Sequence, residues 1–175
     1  VSEVLRMEAA DQAVRQRAIA LMQAGPQTDT LAFKRIVAEQ DSVDRANTAR
    51  LQAIVDAHGW PSKPLVGEEA AGAAFLIVQH ATHDLAFQKQ YLAFLGQEYQ
   101  AGRVAGEPVA LLTDRIRQAE DRPQLYGTQL RVEDGRLVLD PIEDEDRVDQ
   151  RRAALGLPPL DEYVEQVREV YGLTD

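Results

Sequence analysis

The sequence predicts a mainly α-helical, single-domain bundle of residues 1–175 around one long central helix, with one small β-hairpin over about residues 126–140. Three observations carry this. Apolar residues recur at helical spacing along most of the chain. The stretch Ala74 to Leu95 (AFLIVQHATHDLAFQKQYLAFL) is apolar around more than half of a helical wheel, so it belongs at the centre of a fold. Only one region reads as sheet: Tyr126 to Val132 and Leu137 to Leu139 flank Asp134-Gly135, a dipeptide that tolerates the positive φ of a tight hairpin turn.

Composition bounds the function. The chain is long enough for one domain to bury roughly two thirds of its unfolded surface. It is 45% hydrophobic and 27% charged, as ordinary globular proteins are. The apolar run that contains Gly72 to Val78 is too short to span a bilayer, and no signal peptide is expected. There is no cysteine, which removes disulfides, thiolate catalysis and Cys-ligated zinc and fits a cytoplasmic location. A net charge of −10 argues against nucleic acid and against an anionic membrane as partner. A small molecule is the partner expected.

Along the chain, Val1 to Ala24 reads as a helix stopped by Gly25-Pro26. Within it Asp11 and Arg15 stand at i, i+4 beside Gln12, the pattern of a surface ion pair. Asp29 or Thr30 can cap a short helix over Leu31 to Glu39, which leads into a longer one from about Asp41 to His58. Val43, Leu51, Ile54, Val55 and His58 mark the buried stripe of that helix, and Asn47 is an inward amide on it. Gly59-Trp60-Pro61 ends it, with His58 favourable to the helix dipole. Pro61 to Val66 is expected as a loop delivering the chain to the central helix, which begins near Gly67 and frays near Gly102.

On the central helix, with His80 at zero on a wheel of 100° per residue, Leu76, Ile77, Phe87, Tyr91, Phe94 and Leu95 fall within about 60° of it. His80 therefore faces inward, and His80, Asp84 and Gln88 at i, i+4 and i+8 form one polar ridge among apolar neighbours. Such groups cost free energy when buried unless they are paired. Glu107-Pro108 then opens a helix from about Val109 to Ala119, which carries Asp114-Arg115. Asp114 is expected to meet an inward group of the central helix. In the hairpin, Gly127 marks a bulge or a close backbone approach. Two helices close the chain, Glu145 to Leu155 and Leu160 to Tyr171. Arg147, Arg151 and Arg152, interleaved with acids, read as a solvated face.

Taken together, Asp11-Gln12…Arg15, Gly59-Trp60-Pro61, Val66-Gly67, Gln79-His80-Ala81, Phe87-Gln88, Asp114-Arg115, Gln124-x-Tyr126-Gly127-Thr128-Gln129 and Arg152 followed by Gly156-Leu157 resemble a bacterial domain family of unknown function. The resemblance covers almost the whole chain. It implies a shared fold and a shared polar constellation, and no activity.

No Gly-rich phosphate loop, HExxH, GxSxG or EF-hand loop is present. The chemistry expected is therefore a histidine–carboxylate pocket acting on a small molecule. His80 serves as general acid or base, with Asp84 or Asp114 setting its pKa. Arg115 or Arg15 binds an anionic group of the substrate or stabilises developing negative charge, Tyr126 and Gln129 orient the substrate, and Gln88 joins them in binding it. With no activated nucleophile in view, hydrolysis by water, elimination, isomerisation or cyclisation fits better than acyl-enzyme formation. The reading is metal-free and without cofactor; a divalent-metal variant would use His80 and Asp84, with His83 or Asp114 adding a ligand. The alternative is a non-catalytic small-ligand-binding or structural domain whose inward polar groups saturate one another.

Overall fold

The computed structural model describes residues 1–23, 30–133 and 136–171. Eight α-helices and one two-stranded antiparallel hairpin are found among them, so the mainly α class expected is the class observed. The helix stop at Gly25-Pro26, the Asp29 cap and the Asp134-Gly135 turn lie outside the described residues. No helix among the described residues is long and apolar enough to cross a membrane. Chain contacts divide the molecule into two compact units, Val1–Phe87 and Gln88–Asp175.

In the first unit, α1 (Ser2–Gln23) packs on α2 (Thr30–His58) and on α4 (Glu68–His80), and the short α3 (Lys63–Val66) lies against α4. The buried positions of α1 are Val4, Met7, Asp11, Val14 and Ala18. This alternating three- and four-residue spacing makes a narrow seam of the coiled-coil kind, with a carboxylate at its middle. The matching face of α4 is built from Ala70, Ala73, Ala74, Ile77 and Val78, all buried, and its three alanines leave room for a close neighbour.

Three differences from the sequence reading have local causes. Residues 31–58 form part of one helix rather than two, since nothing between Glu39 and Asp41 breaks helical geometry. The segment after Pro61 is not all loop: Pro64 sits in the first turn of α3, where its missing N–H costs nothing. The long central helix is interrupted, ending as α4 at His80 and resuming as α5 (Leu85–Gln100). At the break the Ala81 amide donates to Val78 O at 3.1 Å and the Asp84 amide to Ala81 O at 2.9 Å. The Asp84 carboxylate then accepts the Phe87 amide at 3.0 Å, as an N-cap does from the third helical residue. His80, Asp84 and Gln88 therefore do not share one helical ridge.

Gly59 closes α2 in the left-handed region, at φ 77°, its amide donating to Val55 O at 2.8 Å. Trp60 stacks on Phe87, ring centroids 5.3 Å apart.

In the second unit α6 spans Gly106–Ala119, and the strands β1 (Leu130–Glu133) and β2 (Arg136–Leu139) pair with Leu130 opposite Leu139 and Glu133 opposite Arg136. Residues 126–129, expected as strand, are instead a loop. A short 3₁₀ turn (Glu145–Arg147) leads into α7 (Val148–Ala154), and α8 spans Leu160–Tyr171.

Candidate functional site

The first polar centre is built where the α1 seam meets α2 and α4. Asp11, 1% exposed, accepts from three side chains. Arg15 Nη1 donates to Oδ1 at 2.5 Å, Gln12 Nε2 to Oδ2 at 3.0 Å, and His80 Nδ1 lies 3.0 and 3.1 Å from the two oxygens. Arg15 then reaches α2, where its Nη2 donates to both oxygens of Asp44 at 3.0 Å. The Asp11–Arg15 pair is thus an interior one and not the surface pair that its spacing suggests.

Electrostatics separate the two carboxylates. Burial pushes the Asp11 carboxyl up, but the hydrogen bond from His80, the charges of His80 and Arg15 and the Gln12 amide outweigh it and hold it below the ordinary range. At Asp44 burial wins over the Arg15 guanidinium, and the charge of Asp11 adds to it, so that carboxyl is raised. Asp11 is consequently the carboxylate that stays ionised to lower pH, and Asp44 the one more readily protonated. An ionised Asp11 can only accept, so His80 Nδ1 carries the hydrogen and donates. In the neutral imidazole this leaves Nε2 with the lone pair. The His80 side chain is 16% exposed.

Asp84 is occupied elsewhere in the same unit. Beyond capping α5 at Phe87, it accepts Gln52 Nε2 at 2.9 Å. Asn47 is inward, as expected, and donates to Met7 O at 3.0 Å. His58, placed on the buried stripe from its spacing, is exposed.

The second polar centre is organised by Asp114, which has no exposed surface. Rather than meeting a group of the α4–α5 segment, its carboxylate accepts the backbone N–H groups of Leu125 at 2.6 Å, Tyr126 at 3.1 Å and Thr128 at 3.1 Å, and the Thr128 hydroxyl at 2.9 Å. Successive amides converging on one anion form a nest, here filled by the protein itself. Gly127 makes the loop feasible: it has φ +68°, and a Cβ there would stand 2.6 Å from Leu160 Cδ1. Gln124 holds the far side, its Oε1 accepting the Gln129 amide at 2.8 Å and its Nε2 donating to Asp140 O at 2.7 Å. The spelling of the Gln124-to-Gln129 segment is therefore that of a loop wrapped on a buried carboxylate.

Two arginines read as solvated are structural. Arg152 is 1% exposed, and Arg151 donates to Leu125 O at 2.7 Å and to Glu143 O at 2.6 Å. Of the expected substrate-binding residues, Arg115 and Gln129 line one cavity of about 360 Å³ together with Thr128, Tyr163 and Gln166. Tyr126 is half-buried, and burial followed by the Asp114 charge raises its phenol. Gln88 is fully buried. His80, Asp84 and Arg15 belong to the first unit, and Gln88, Asp114, Arg115, Tyr126 and Gln129 to the second.

Among the described residues no group of three or more histidine, aspartate or glutamate side chains is placed to hold a metal ion. Asp84, the second ligand of the metal variant, accepts the Phe87 amide and Gln52 Nε2.

The model of a family of unknown function, DUF6624, matches residues 1–175. The chain belongs to this family. Its membership covers both polar centres and brings no activity with it. Neither a curated protein nor a solved structure matches the chain.

Asp44 and Arg152 carry the arrangement, yet spacing did not single them out. Asp44 had a readable signal: with Asn47, Thr48 and Leu51 it stands at i, i+3, i+4 and i+7 on α2, one face of a helix. Nothing local marks Arg152 as interior, because its partners are backbone carbonyl oxygens, of Pro158 nearby and of Tyr126 farther off, which no residue type or spacing signals.

Proposed function

We propose that the protein is an enzyme acting on a small molecule by general acid–base catalysis, with His80 as the proton-transferring group. The observation that supports this most is the Asp11–His80 pair: a buried carboxylate bonded to Nδ1 at 3.0 Å, on an imidazole that is itself not fully buried. The pairing fixes the tautomer whose Nε2 faces a proton donor or acceptor, the orienting role a carboxylate plays beside a catalytic histidine elsewhere. Arg15, clamped between Asp11 and Asp44, keeps Asp11 anionic and the dyad aligned. The chemistry supported is proton abstraction or delivery to a small substrate, as in hydrolysis by water, elimination or cyclisation. In this reading Asp11 takes the orienting role that spacing gave to Asp84 or Asp114.

The test is turnover of a panel of small esters, lactones, amides and β-hydroxy acids by the full chain and by His80→Gln. The reading expects at least one class to be turned over, with kcat lower by about 10²- to 10⁴-fold in the variant. Activity that survives His80→Gln unchanged, or no turnover of any class, would overturn it.

The second reading, a non-catalytic domain with an internal hydrogen-bond network, draws support from Asp84 and Asp114, whose oxygens are engaged by backbone amides. It expects ligand binding, or neither binding nor turnover, on the same panel.

A further inference from the structure

The second unit contains a cavity of about 520 Å³, within the range of small-molecule sites. It lies between the start of α6, the turn after α7 and the face of α8. Leu111, Leu155, Leu157 and Pro158 form an apolar wall, and Arg152 stands in the lining. Arg152 Nε donates to Pro158 O at 2.7 Å and Nη1 to Tyr126 O at 2.6 Å, and the guanidinium carbon lies 4.8 Å over the Tyr163 ring. These contacts use two of five N–H donors. Among the described residues no carboxylate lies at ion-pair distance from this guanidinium. Asp149 and Asp114 act on it only through their fields, and burial pushes its pKa down. The Asp149 carboxylate accepts the Leu160 amide, and that of Asp114 holds the 125–128 loop.

A buried cation without a paired anion is costly, and a cation–π contact offsets only about 1–2 kcal/mol of that. The first turn of α6, which no side chain caps, lines the same cavity through Ala105, Gly106 and Glu107. Glu107, the acidic side chain of the lining, is exposed, where solvent and salt screen it.

We propose that this cavity binds an amphipathic organic anion, with a carboxylate or phosphate head on the Arg152 guanidinium and an apolar body along Leu111, Leu155, Leu157 and Pro158. The site is independent of the acid–base reading of the first unit. Its logic is that of a small-molecule pocket with one placed charge: apolar walls supply affinity, and the buried cation selects the sign of the ligand.

The experiment is an NMR titration of the full chain with octanoate, octyl phosphate, 1-octanol and inorganic phosphate, following the Arg152 Nε–H and the Tyr163 ring. Octanoate or octyl phosphate should shift both signals saturably and bind at least about tenfold more tightly than octanol, a factor worth 1.4 kcal/mol. The tighter of the two names the head group. Arg152→Gln should abolish the preference for the anion. Because that change alters a buried residue, Gln166→Trp serves as the second variant: Gln166 is an exposed member of the lining, and filling the mouth there should weaken binding at least tenfold with Tm unchanged. Octanol binding as tightly as octanoate, inorganic phosphate binding as tightly as octyl phosphate, unmoved Arg152 and Tyr163 signals, or affinity indifferent to Gln166→Trp would each overturn the proposal.

Discussion

Replacing Asp11 by Asn keeps its shape and removes its charge. If the amide oxygen takes the Oδ1 position it still accepts from Arg15 and His80, but as neutral acceptor, and the new NH₂ confronts Gln12 Nε2. The bond from His80 falls from the charge-assisted range of about 1.5–3 kcal/mol to the neutral range of about 0.5–1.5, and the still-cationic Arg15 keeps a hydrogen bond but loses its buried counter-anion, so the variant should lose about 2–3 kcal/mol at neutral pH. Asp44→Asn should cost under about 1 kcal/mol, because at that site burial already outweighs the gain from Arg15. The pH dependences differ in sign. The folded-state pKa of Asp11 is depressed below 3.8, so its contribution is complete above the unfolded value and disappears as pH falls through the folded one. The folded-state pKa of Asp44 is raised above 3.8, so ionising it costs stability as pH rises through the folded value, and Asp44→Asn gains on wild type in that direction. Urea denaturation at several pH values between about 3 and 7 reads both slopes. Equal costs for the two variants, or parallel slopes, would refute this electrostatic account.

Two further substitutions test the other carboxylates. Asp84→Ala removes the cap of α5 together with the Gln52 bond and should lower stability by about 1 kcal/mol in a thermal melt; a change within about 0.3 kcal/mol would contradict a capping role. Asp114→Asn turns one acceptor oxygen into a donor facing buried amides, at a cost of about 2–4 kcal/mol. Amide exchange at Leu125, Tyr126 and Thr128 should then accelerate together, and unchanged protection there would count against the nest.

The helical class was legible because it follows from periodicity, and the presence of one hairpin because Asp134-Gly135 stands between two apolar runs. What periodicity hides is the interruption of a pattern that stays apolar on both sides. Ala81 to Asp84 contains no glycine or proline, and the wheel continues through it in phase. The one cue was Asp84 itself, an N-cap residue type directly before Leu85-Ala86-Phe87. Of the six neighbours that place His80 inward on the wheel, only Leu76 and Ile77 precede the break, while Phe87, Tyr91, Phe94 and Leu95 lie beyond it on α5. The partner of His80 was less legible. Asp11 sits 69 residues away in sequence, and an acid–arginine pair at i, i+4 has the same spelling on a surface and in a seam. Only its position in the series Val4, Met7, Asp11, Val14 marks it as inward. The Tyr126-to-Gln129 segment shows the opposite limit: its unusual residue types were visible, but their cause, a carboxylate on another element, was not. Arg152 is buried by carbonyl acceptors, which every sequence has and no spacing reveals.

The most direct test of the acid–base account is the ¹⁵N NMR of the His80 imidazole through a pH titration, in wild type and in Asp11→Asn. The account predicts that neutral His80 carries its proton on Nδ1 and that this tautomer preference weakens once Asp11 loses its charge. A neutral His80 protonated at Nε2, or a tautomer preference unmoved by Asp11→Asn, would contradict it.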